Sequence, residues 1–493
     1  MSSPSIGTTR RSDRAVLVIA VLCFSSLCAA LMQSLVIPIQ SELPQLLNTS
    51  ASNASWVVTA TLLGGGVSMP LTGRLADMLG KKPVLVAAAS ILVVGSLICA
   101  LSDSLGFVLV GRVLQGIAMG YIPVAISMVR EVAPAHMVNT AVAAVSATLG
   151  VGGALGLPLA AWIAQGHDWH LLFWVSAVLA VAMVVLSVVV LPHVHDAHPA
   201  RIDVVGAIGL AVGLVGVLVG ISKGGDWGWS EASTLGAIVG GVVVLLVWGW
   251  YQLRRSDPLV DLRTMGKKPI LFTNVAAVLI GFGMMAQSIV VPQLLELPSA
   301  AGGLGQTILA AGLWMAPGGL MMMAFAPVSS KLLTRFGGRI TMSLGAFVLA
   351  AGYVVAVFMT NAPWQLLVAS CVVCAGVGIG YAAMPTLILS NVPAAEAASS
   401  VSVNTLMRSI GTTVAGAVMA LVLTSQTFTL APGTPEIPTH GAFRLCFLIG
   451  ALAAAAGAAI VLLIPRRGRT PEAPADDAPA AVRDELAVAA LAE

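Results

Sequence analysis

The feature that most constrains this chain is an apolar run of about 20 residues that recurs fourteen times. The runs fall at 15–39, 55–77, 83–101, 105–128, 138–164, 170–191, 203–222, 234–252, 270–295, 306–328, 338–360, 363–389, 398–424 and 440–464. A backbone in lipid must satisfy its own hydrogen bonds, and runs of this length are too long for barrel strands. Only 9% of the residues are charged, too few for a soluble surface. The predicted fold is all-α, a polytopic membrane protein with 14 transmembrane helices.

Lys and Arg lie almost entirely on one side of the predicted membrane. Twenty of the 24 fall in segments that share a side with the N-terminus, whereas Lys223 alone falls in the opposite loops. Positive residues collect on the cytoplasmic side of membrane proteins. We therefore expect a multi-pass protein of the cell membrane with both termini in the cytoplasm.

Three stretches of the chain are repeated in the same order. Residues 33–44 (QSLVIPIQSELP) match 287–298 (QSIVVPQLLELP), 70–82 (PLTGRLADMLGKK) match 327–339 (PVSSKLLTRFGGR), and 116–121 (GIAMGY) match 376–381 (GVGIGY). The offsets of 254, 257 and 260 are nearly constant, which indicates a duplicated unit of six helices. Parallel repeats of this kind place the substrate site between the halves, near the membrane midplane.

The repeat defines the expected domain organisation. It comprises a cytoplasmic tail at 1–14, a six-helix half at 15–191, two inserted helices at 203–252, a second six-helix half at 270–464 and a disordered cytoplasmic tail at 466–493.

Two stretches carry motifs of a known family. Residues 73–82 read GRLADMLGKK in the loop between the second and third spans, and residues 112–116 read RVLQG in the fourth span. On these motifs the chain resembles the major facilitator superfamily, specifically its fourteen-span drug:proton antiporters. The resemblance implies proton-driven efflux of hydrophobic or amphiphilic drug-like compounds by alternating access, without enzymatic activity. It also implies a proton-coupling role for the RVLQG motif.

The fifth span departs from the pattern of these antiporters. They carry G-x-x-x-G-P followed by G-G, whereas residues 152–161 read GGALGLPLAA. Gly152, Gly156 and Pro158 are the recognisable members of the motif, and the glycines also suit close helix packing.

The loop motif suggests a conformational latch. Asp77 can accept hydrogen bonds from a neighbouring helix N-terminus and can pair with Arg74 or Arg130. Gly73 and Gly80 allow close backbone approach and a sharp turn. The candidate latch residues are Gly73, Arg74, Asp77, Gly80, Lys81, Lys82 and Arg130. The alternative is a solvated basic loop. Because Thr334 replaces the acid in the second copy, the latch is predicted to be asymmetric.

Candidate proton-coupling residues are Arg112, Gln115, Glu42, Glu296 and Arg408. A cation inside a span is costly and usually functional, although Arg112 could instead extend to the interface. The two glutamates are predicted at the outer cavity mouth, with helix-end acids kept by duplication as the alternative.

The substrate cavity is predicted to contain Gln33, Ser34, Met284, Gln287 and Ser288, with plain helix packing as the alternative. Pro38 and Pro292 interrupt the hydrogen-bond ladder of their helices. Ser34, Pro38 and Glu42 are predicted to form one helical stripe, and Ser288, Pro292 and Glu296 its counterpart.

The expected partners are a hydrophobic or cationic small molecule, protons and the lipid bilayer, with no nucleic acid, and the protein is expected to act as a monomer. No nucleotide-binding loop, metal cluster or cofactor motif occurs in the sequence, so a proton gradient is the expected energy source. Export of one endogenous metabolite or lipid is a second possibility. A non-transporting sensor or membrane-embedded enzyme would need clustered catalytic residues or an added domain.

Overall fold

The computed structural model describes residues 6–36, 39–40, 42–193, 202–429 and 437–465. Pro38 and the predicted tail at 466–493 lie outside the described residues. The described chain is almost entirely helical. Residues 6–14, predicted as part of a tail, belong to the first helix.

The described residues up to 193 form nine helices. They are α1 (Ile6–Ser34), α2 (Leu43–Leu46), α3 (Ala51–Ala54), α4 (Trp56–Leu79), α5 (Lys81–Ala100), α6 (Leu105–Ile117), α7 (Tyr121–Val132), α8 (Val138–Gly166) and α9 (His170–Val190), with 3-10 turns at Ala118–Gly120 and Ala135–Met137.

The inserted segment forms a helix pair, and the rest of the chain forms a second bundle. In order these are α10 (Val204–Trp227), α11 (Ala232–Arg254), α12 (Leu262–Met265), α13 (Lys268–Glu296), α14 (Ile308–Ala324), α15 (Ala326–Phe358), α16 (Pro363–Tyr381), α17 (Ala383–Leu389), α18 (Ala397–Ser425) and α19 (His440–Leu462), with 3-10 turns at Ser299–Ala301 and Ala394–Glu396. Strands β1 (Thr427–Phe428) and β2 (Ile437–Pro438) pair antiparallel, Thr427 opposite Pro438, between α18 and α19.

Twelve helical segments of the described chain are long and apolar enough to cross a membrane. The polytopic all-α fold is thus confirmed, whereas the count of fourteen spans stays a prediction. Helix α4 is not among the twelve, and α14 and α15 count as one segment of 51 residues. A helix of that length would extend roughly 76 Å, more than twice the hydrocarbon thickness of a bilayer.

The long segment bends where the sequence repeat predicts a loop. Gly337 has φ 76° and ψ 171° inside α15, and Gly80, 257 residues earlier, has φ 90° and ψ 153° between α4 and α5. A positive φ is favourable for glycine and strained for other residues. We call the end of the bundle that carries these two glycines the loop end.

The same helix pairs recur in both bundles. Helix α1 packs on α8, α4 on α6, and α5 on α9; in the second bundle α13 packs on α18, α14 on α16, and α15 on α19. These are equivalent pairs under the predicted duplication. The division into two halves remains a proposal, and this recurrence is the structural observation that favours it.

One copy of the first repeat differs from its prediction. Helix α1 ends at Ser34, and Glu42 precedes the short helix α2, so Ser34 and Glu42 do not share a helix. The predicted Ser34–Pro38–Glu42 stripe is therefore wrong. In the second copy, α13 continues through Pro292 to Glu296. A proline cannot donate to the carbonyl four residues earlier, yet α13 continues through its proline, whereas α1 ends at Ser34.

Candidate functional site

The carboxylate of Asp77 joins the two bundles at the loop end. Asp77 lies in the last turn of α4 and is only 2% exposed. Its two oxygens accept hydrogen bonds from the backbone N–H groups of Ala398, at 2.9 Å, and Ser399, at 2.8 Å. These amides belong to the first turn of α18 and have no acceptor within their own helix. A negative charge at this position also interacts favourably with the helix dipole.

Glycine allows α4 and α18 to approach this closely. A Cβ atom on Gly73 would lie 2.4 Å from Ser402 Oγ and 2.7 Å from the Ala398 carbonyl oxygen. Any side chain there would push the two helices apart and lengthen the bonds to Asp77. The close approach and the carboxylate contact therefore form one joint, which we call the Asp77 joint.

The basic residues around this joint have other partners. Lys81 pairs with Glu131, Lys82 donates to the Val188 carbonyl at 2.8 Å, and Arg130 donates to the Val392 carbonyl at 3.4 Å. Among the described residues, no salt bridge links Asp77 to an arginine. The predicted pairing with Arg74 or Arg130 is thus wrong, because the carboxylate is occupied by helix amides. Arg130 nevertheless contacts the second bundle directly.

The second copy of the loop makes a neutral contact in the equivalent place. Thr334 corresponds to Asp77, and its hydroxyl accepts a hydrogen bond from Asn139 Nδ2 at 3.4 Å, near the start of α8. The hydroxyls of Thr140 and Ser330 meet nearby at 2.7 Å. Both loops therefore contact the first turn of a helix in the opposite bundle, but only one contact carries a charge.

Arg112 lies inside the first bundle, 2% exposed. Its Nε donates to the Val57 carbonyl at 3.0 Å, and its Nη1 donates to Gln115 Oε1 at 2.7 Å. Gln115 Nε2 donates in turn to Ser96 Oγ at 3.0 Å. The alternative in which Arg112 extends to the membrane interface is therefore wrong, because the guanidinium connects α6 with α4 and α5.

Arg112 and Gln115 also line a small cavity. The other lining residues are Ala29, Met32, Gln33, Thr61, Leu92, Ala118 and Met119. Gln33 is exposed near the end of α1 and forms part of the polar wall. The structure thus brings together Gln33, Arg112 and Gln115, which the sequence assigned to separate roles.

Arg408 occupies the second bundle. Its guanidinium carbon lies 4.3 Å from the centroid of the Tyr381 ring, a cation–π arrangement. A Cβ atom on Gly281 of α13 would lie 2.4 Å from the Arg408 carbonyl oxygen, so that glycine permits α13 and α18 to pack together. Glu42 and Glu296 are both exposed at helix ends rather than beside these arginines.

The remaining cavity candidates differ in their surroundings. Ser34 is buried and donates to the carbonyls of Leu31, at 2.8 Å, and Gly152, at 3.3 Å, so we assign it to the α1–α8 interface. Ser288 is exposed and Met284 half-buried. Gln287 is buried, and its Oε1 has no hydrogen-bond partner among the described residues.

The fifth-span motif forms contacts on two sides of α8. A Cβ atom on Gly156 would lie 1.9 Å from Ser34 Oγ, and one on Gly152 would lie 2.6 Å from Ala30 Cβ. Pro158 faces Gly312 of α14, and a Cβ atom on that glycine would lie 3.7 Å from Pro158 Cα. Helix α8 therefore lies between α1 and the second bundle.

Two buried polar residues escaped prediction from the sequence. Tyr353 of α15 donates its hydroxyl to the Gly283 carbonyl and accepts the Gln287 N–H at 2.9 Å, bridging two groups one turn apart in α13. A tyrosine in an apolar run signals such a contact, because a buried hydroxyl needs a partner.

The second is Lys223, which was predicted to lie in a loop. Helix α10 instead continues to Trp227, and Lys223 is buried within it, only 1% exposed. It forms an ion pair with Asp226 at 3.0 Å and lies 5.0 Å from the centroid of the Trp56 ring. The lysine thereby connects the inserted helix pair to the start of α4.

Known proteins resemble this chain along most of its length. The model of the Major Facilitator Superfamily matches residues 22–416. An uncharacterized MFS-type transporter of Bacillus subtilis, YhcA, is 23% identical over 69% of this chain and 64% of its own length. The lincomycin resistance protein LmrB of the same species is 26% identical over 61% of this chain and 62% of its own. The match thus covers less than two thirds of either relative.

The fold is also found among solved structures. The human organic anion transporter MFSD10 superposes with a TM-score of 0.64 over 91% of this chain and 99% of its own, at 13% sequence identity. At that identity the similarity establishes the fold alone.

Proposed function

The chain belongs to the major facilitator superfamily of membrane transporters, and we propose that it is a proton-driven exporter of hydrophobic or amphiphilic small molecules. The Asp77 joint is the observation that carries the proposal. It connects the two bundles through the carboxylate of Asp77 and the N-terminus of α18. Both hydrogen bonds of this contact would break together when the bundles separate. A transporter working by alternating access needs such a breakable joint at one end of the cavity.

In this proposal the Asp77 joint faces the cytoplasm. The positive residues of the loop end favour the cytoplasmic side, so the joint closes the cavity from the cytoplasm and leaves the opposite end available for release. In this proposal the protein lies in the cell membrane and acts as a monomer. LmrB, a lincomycin resistance protein, supports export as the direction.

A proton gradient supplies sufficient energy. One proton moving through 100 mV releases about 2.3 kcal/mol, which corresponds to roughly a fiftyfold concentration ratio of substrate. The sequence has no phosphate-binding loop for ATP. Arg112, Gln115 and Arg408 are the intramembrane groups through which coupling would act, with Glu42 and Glu296 near the exit.

Export of a single endogenous metabolite or lipid remains the second candidate, since the same joint would serve it. The width of the substrate range decides between the two. Broad transport of unrelated compounds favours drug efflux, and transport of one compound class favours the metabolite exporter.

The test is transport by the purified protein in proteoliposomes. Lincomycin and a panel of lipophilic dyes would be followed with and without an imposed pH gradient, with a protonophore as the control for coupling. We expect gradient-dependent movement of at least one probe by the wild type and its loss in Asp77→Asn. Movement that ignores the gradient would contradict proton-driven transport.

A further inference from the structure

A cavity at the loop end lies beside the Asp77 joint and is separate from the small cavity that Arg112 lines. Three parts of the chain enclose it: α4, the segment that follows the inserted helix pair, and the start of α18. Its volume is about 150 Å³, and a cavity of that size in another protein accommodates benzene. We call it the loop-end cavity, and it has room for a small organic molecule.

The segment at 256–261, which forms one wall, is fixed in place by buried hydrogen bonds. The N–H of Leu259 donates to Gln252 Oε1 at 2.9 Å, and Gln252 Nε2 donates to Asp203 Oδ2 at 2.8 Å. Gln252 and Asp203 are 2% and 5% exposed. The side chain of Asp261 caps α12. The wall is therefore formed before any ligand binds, which lowers the cost of ordering on binding.

The loop-end cavity carries an excess of negative charge. The carboxylates of Asp257, Asp261 and Glu396 line it, together with the guanidinium of Arg74. Among the described residues, none of these three acids forms a salt bridge. Carboxylates are ionised at neutral pH. Three carboxylates and one guanidinium leave two negative charges unbalanced in the lining.

Two polar atoms of the lining lack a partner. Ser400 lines the cavity and is 1% exposed, and its hydroxyl has no hydrogen-bond partner among the described residues. Glu396 Oε2 is likewise shielded from solvent and unpartnered in the described part of the chain. Buried polar atoms are normally paired. Both oxygens can accept a hydrogen bond, and an ammonium group, with three N–H donors and no acceptor, supplies what they lack.

We propose that the loop-end cavity binds aliphatic diamines as dications, with one ammonium group at Glu396 and Ser400 and the other at Asp257. The two positive charges balance the two excess negative charges of the lining. The apolar side chains of Leu259 and Met265 face the same cavity and can pack against the methylene chain. Butane-1,4-diamine has as many heavy atoms as benzene, so its size is suitable.

A ligand in this cavity would act on the Asp77 joint. Ser399 also lines the cavity, and its N–H donates to Asp77 Oδ2 at 2.8 Å. Glu396 and Ser400 flank the same turn of the chain. A bound diamine would cover this turn and slow the exchange of its amides. The inference goes beyond the proposed export function and does not rest on it, because the site lies at the loop end and not on the transport path.

The test is equilibrium dialysis of radiolabelled butane-1,4-diamine against the purified full chain. The protein would be placed in nanodiscs of phosphatidylcholine at neutral pH, and binding to empty nanodiscs would be subtracted. Competitors of the same chain length separate charge from size. We expect butan-1-amine to compete at least about tenfold more weakly than the diamine, because it pairs with one carboxylate site only. Butane-1,4-diol and butanedioate should not compete.

Substitution of the acids locates the site. Asp257→Asn and Glu396→Gln should each weaken diamine binding at least about tenfold. Asp257 is exposed, so Asp257→Asn tests the site even if Glu396→Gln does not fold. Glu231→Gln is the matched control, because it removes the same charge from an exposed residue at the other end of α11, outside the cavity. It should bind the diamine as the wild type does.

Hydrogen–deuterium exchange provides a second measurement. Saturating diamine should slow exchange in the peptide that covers the start of α18 in the wild type but not in Asp257→Asn. The inference would be overturned by a wild type that binds no diamine, or by equal competition from butan-1-amine. Binding that is unchanged in Asp257→Asn and Glu396→Gln, or weakened equally in Glu231→Gln, would also overturn it.

Discussion

Replacing Asp77 with asparagine should open the loop end of the protein. The substitution keeps the size of the side chain but removes its charge. One oxygen can still accept from the α18 amides, whereas the new NH2 group faces a second N–H donor. Both amides are held at hydrogen-bond distance in the wild type, 2.9 Å for Ala398 and 2.8 Å for Ser399. The second amide thus loses its acceptor.

The size of the effect follows from these contacts. A hydrogen bond to a charged group contributes about 1.5–3 kcal/mol, and the helix dipole adds up to about 2 kcal/mol in partly buried geometry. Since asparagine retains one bond, we expect a loss of about 2–4 kcal/mol. Every 1.4 kcal/mol changes an equilibrium constant tenfold. A loop end that is closed about 99% of the time in the wild type would therefore be closed about 80% to about 10% of the time in Asp77→Asn.

Hydrogen–deuterium exchange measures this opening directly. The amides of Ala398 and Ser399 have no acceptor in their own helix, so their protection reports the Asp77 joint. Exchange in the peptide that covers the start of α18 should accelerate at least tenfold in Asp77→Asn. Thr334→Val is the matched control, because it alters the equivalent loop position, whose contact is a neutral hydroxyl at 3.4 Å.

Two results would refute this reasoning. One is exchange at the start of α18 that stays within twofold of the wild type in Asp77→Asn. The other is an equally large acceleration of exchange at the start of α18 in Thr334→Val. That result would mean that any substitution at the loop end loosens the bundle and that the charge of Asp77 is not the cause.

Three further substitutions test other contacts. Gly156→Ala should lower the thermal midpoint, at a cost of about 1–3 kcal/mol, because its Cβ would lie 1.9 Å from Ser34 Oγ; adding Ser34→Gly should recover part of the loss. Tyr353→Phe should cost about 1 kcal/mol and speed amide exchange in α13 next to the lost hydroxyl, whereas unchanged exchange would mean that the helix closes its own ladder. Lys223→Met should destabilise the protein by less than about 1 kcal/mol, measured as a small drop in the thermal midpoint, since its partner Asp226 is half exposed. A larger loss would show that the contact of Lys223 with α4 dominates.

The sequence was sufficient to predict the fold class and the chemistry of the Asp77 joint. The loop motif places an acid at the end of a helix, and such an acid suits the N-terminus of another helix. Which helix accepts it could not be predicted, because Ala398 is 321 residues away and the contact depends on how the bundles pack. The predicted arginine partners failed for the same reason.

Local sequence also fails where tertiary contacts decide. The repeat containing Pro38 and the repeat containing Pro292 are nearly identical, yet α1 ends at Ser34 while α13 continues to Glu296. In the second copy the hydroxyl of Tyr353 bridges Gly283 and Gln287 of α13, one turn before Pro292. The tyrosine signals that its hydroxyl has a partner, but it does not tell which helix supplies that partner. Similarly, Lys223 is helical and buried because its ammonium group forms an ion pair with Asp226 and a cation–π contact with the Trp56 ring.

The difference in charge between Asp77 and Thr334 has a consequence for turnover. The charge of Asp77 contributes about 2–4 kcal/mol to closing the loop end, which is similar to the energy of one proton moving through 100 mV, about 2.3 kcal/mol. Taken alone, this contribution would leave the loop end open about 0.1–3% of the time. A second acid, introduced as Thr334→Asp, would face the first turn of α8 and could double the stabilisation. The open fraction would then fall to roughly one in a thousand to one in a million. Transport should slow accordingly. Faster transport in Thr334→Asp would mean that opening of the loop end does not limit the cycle.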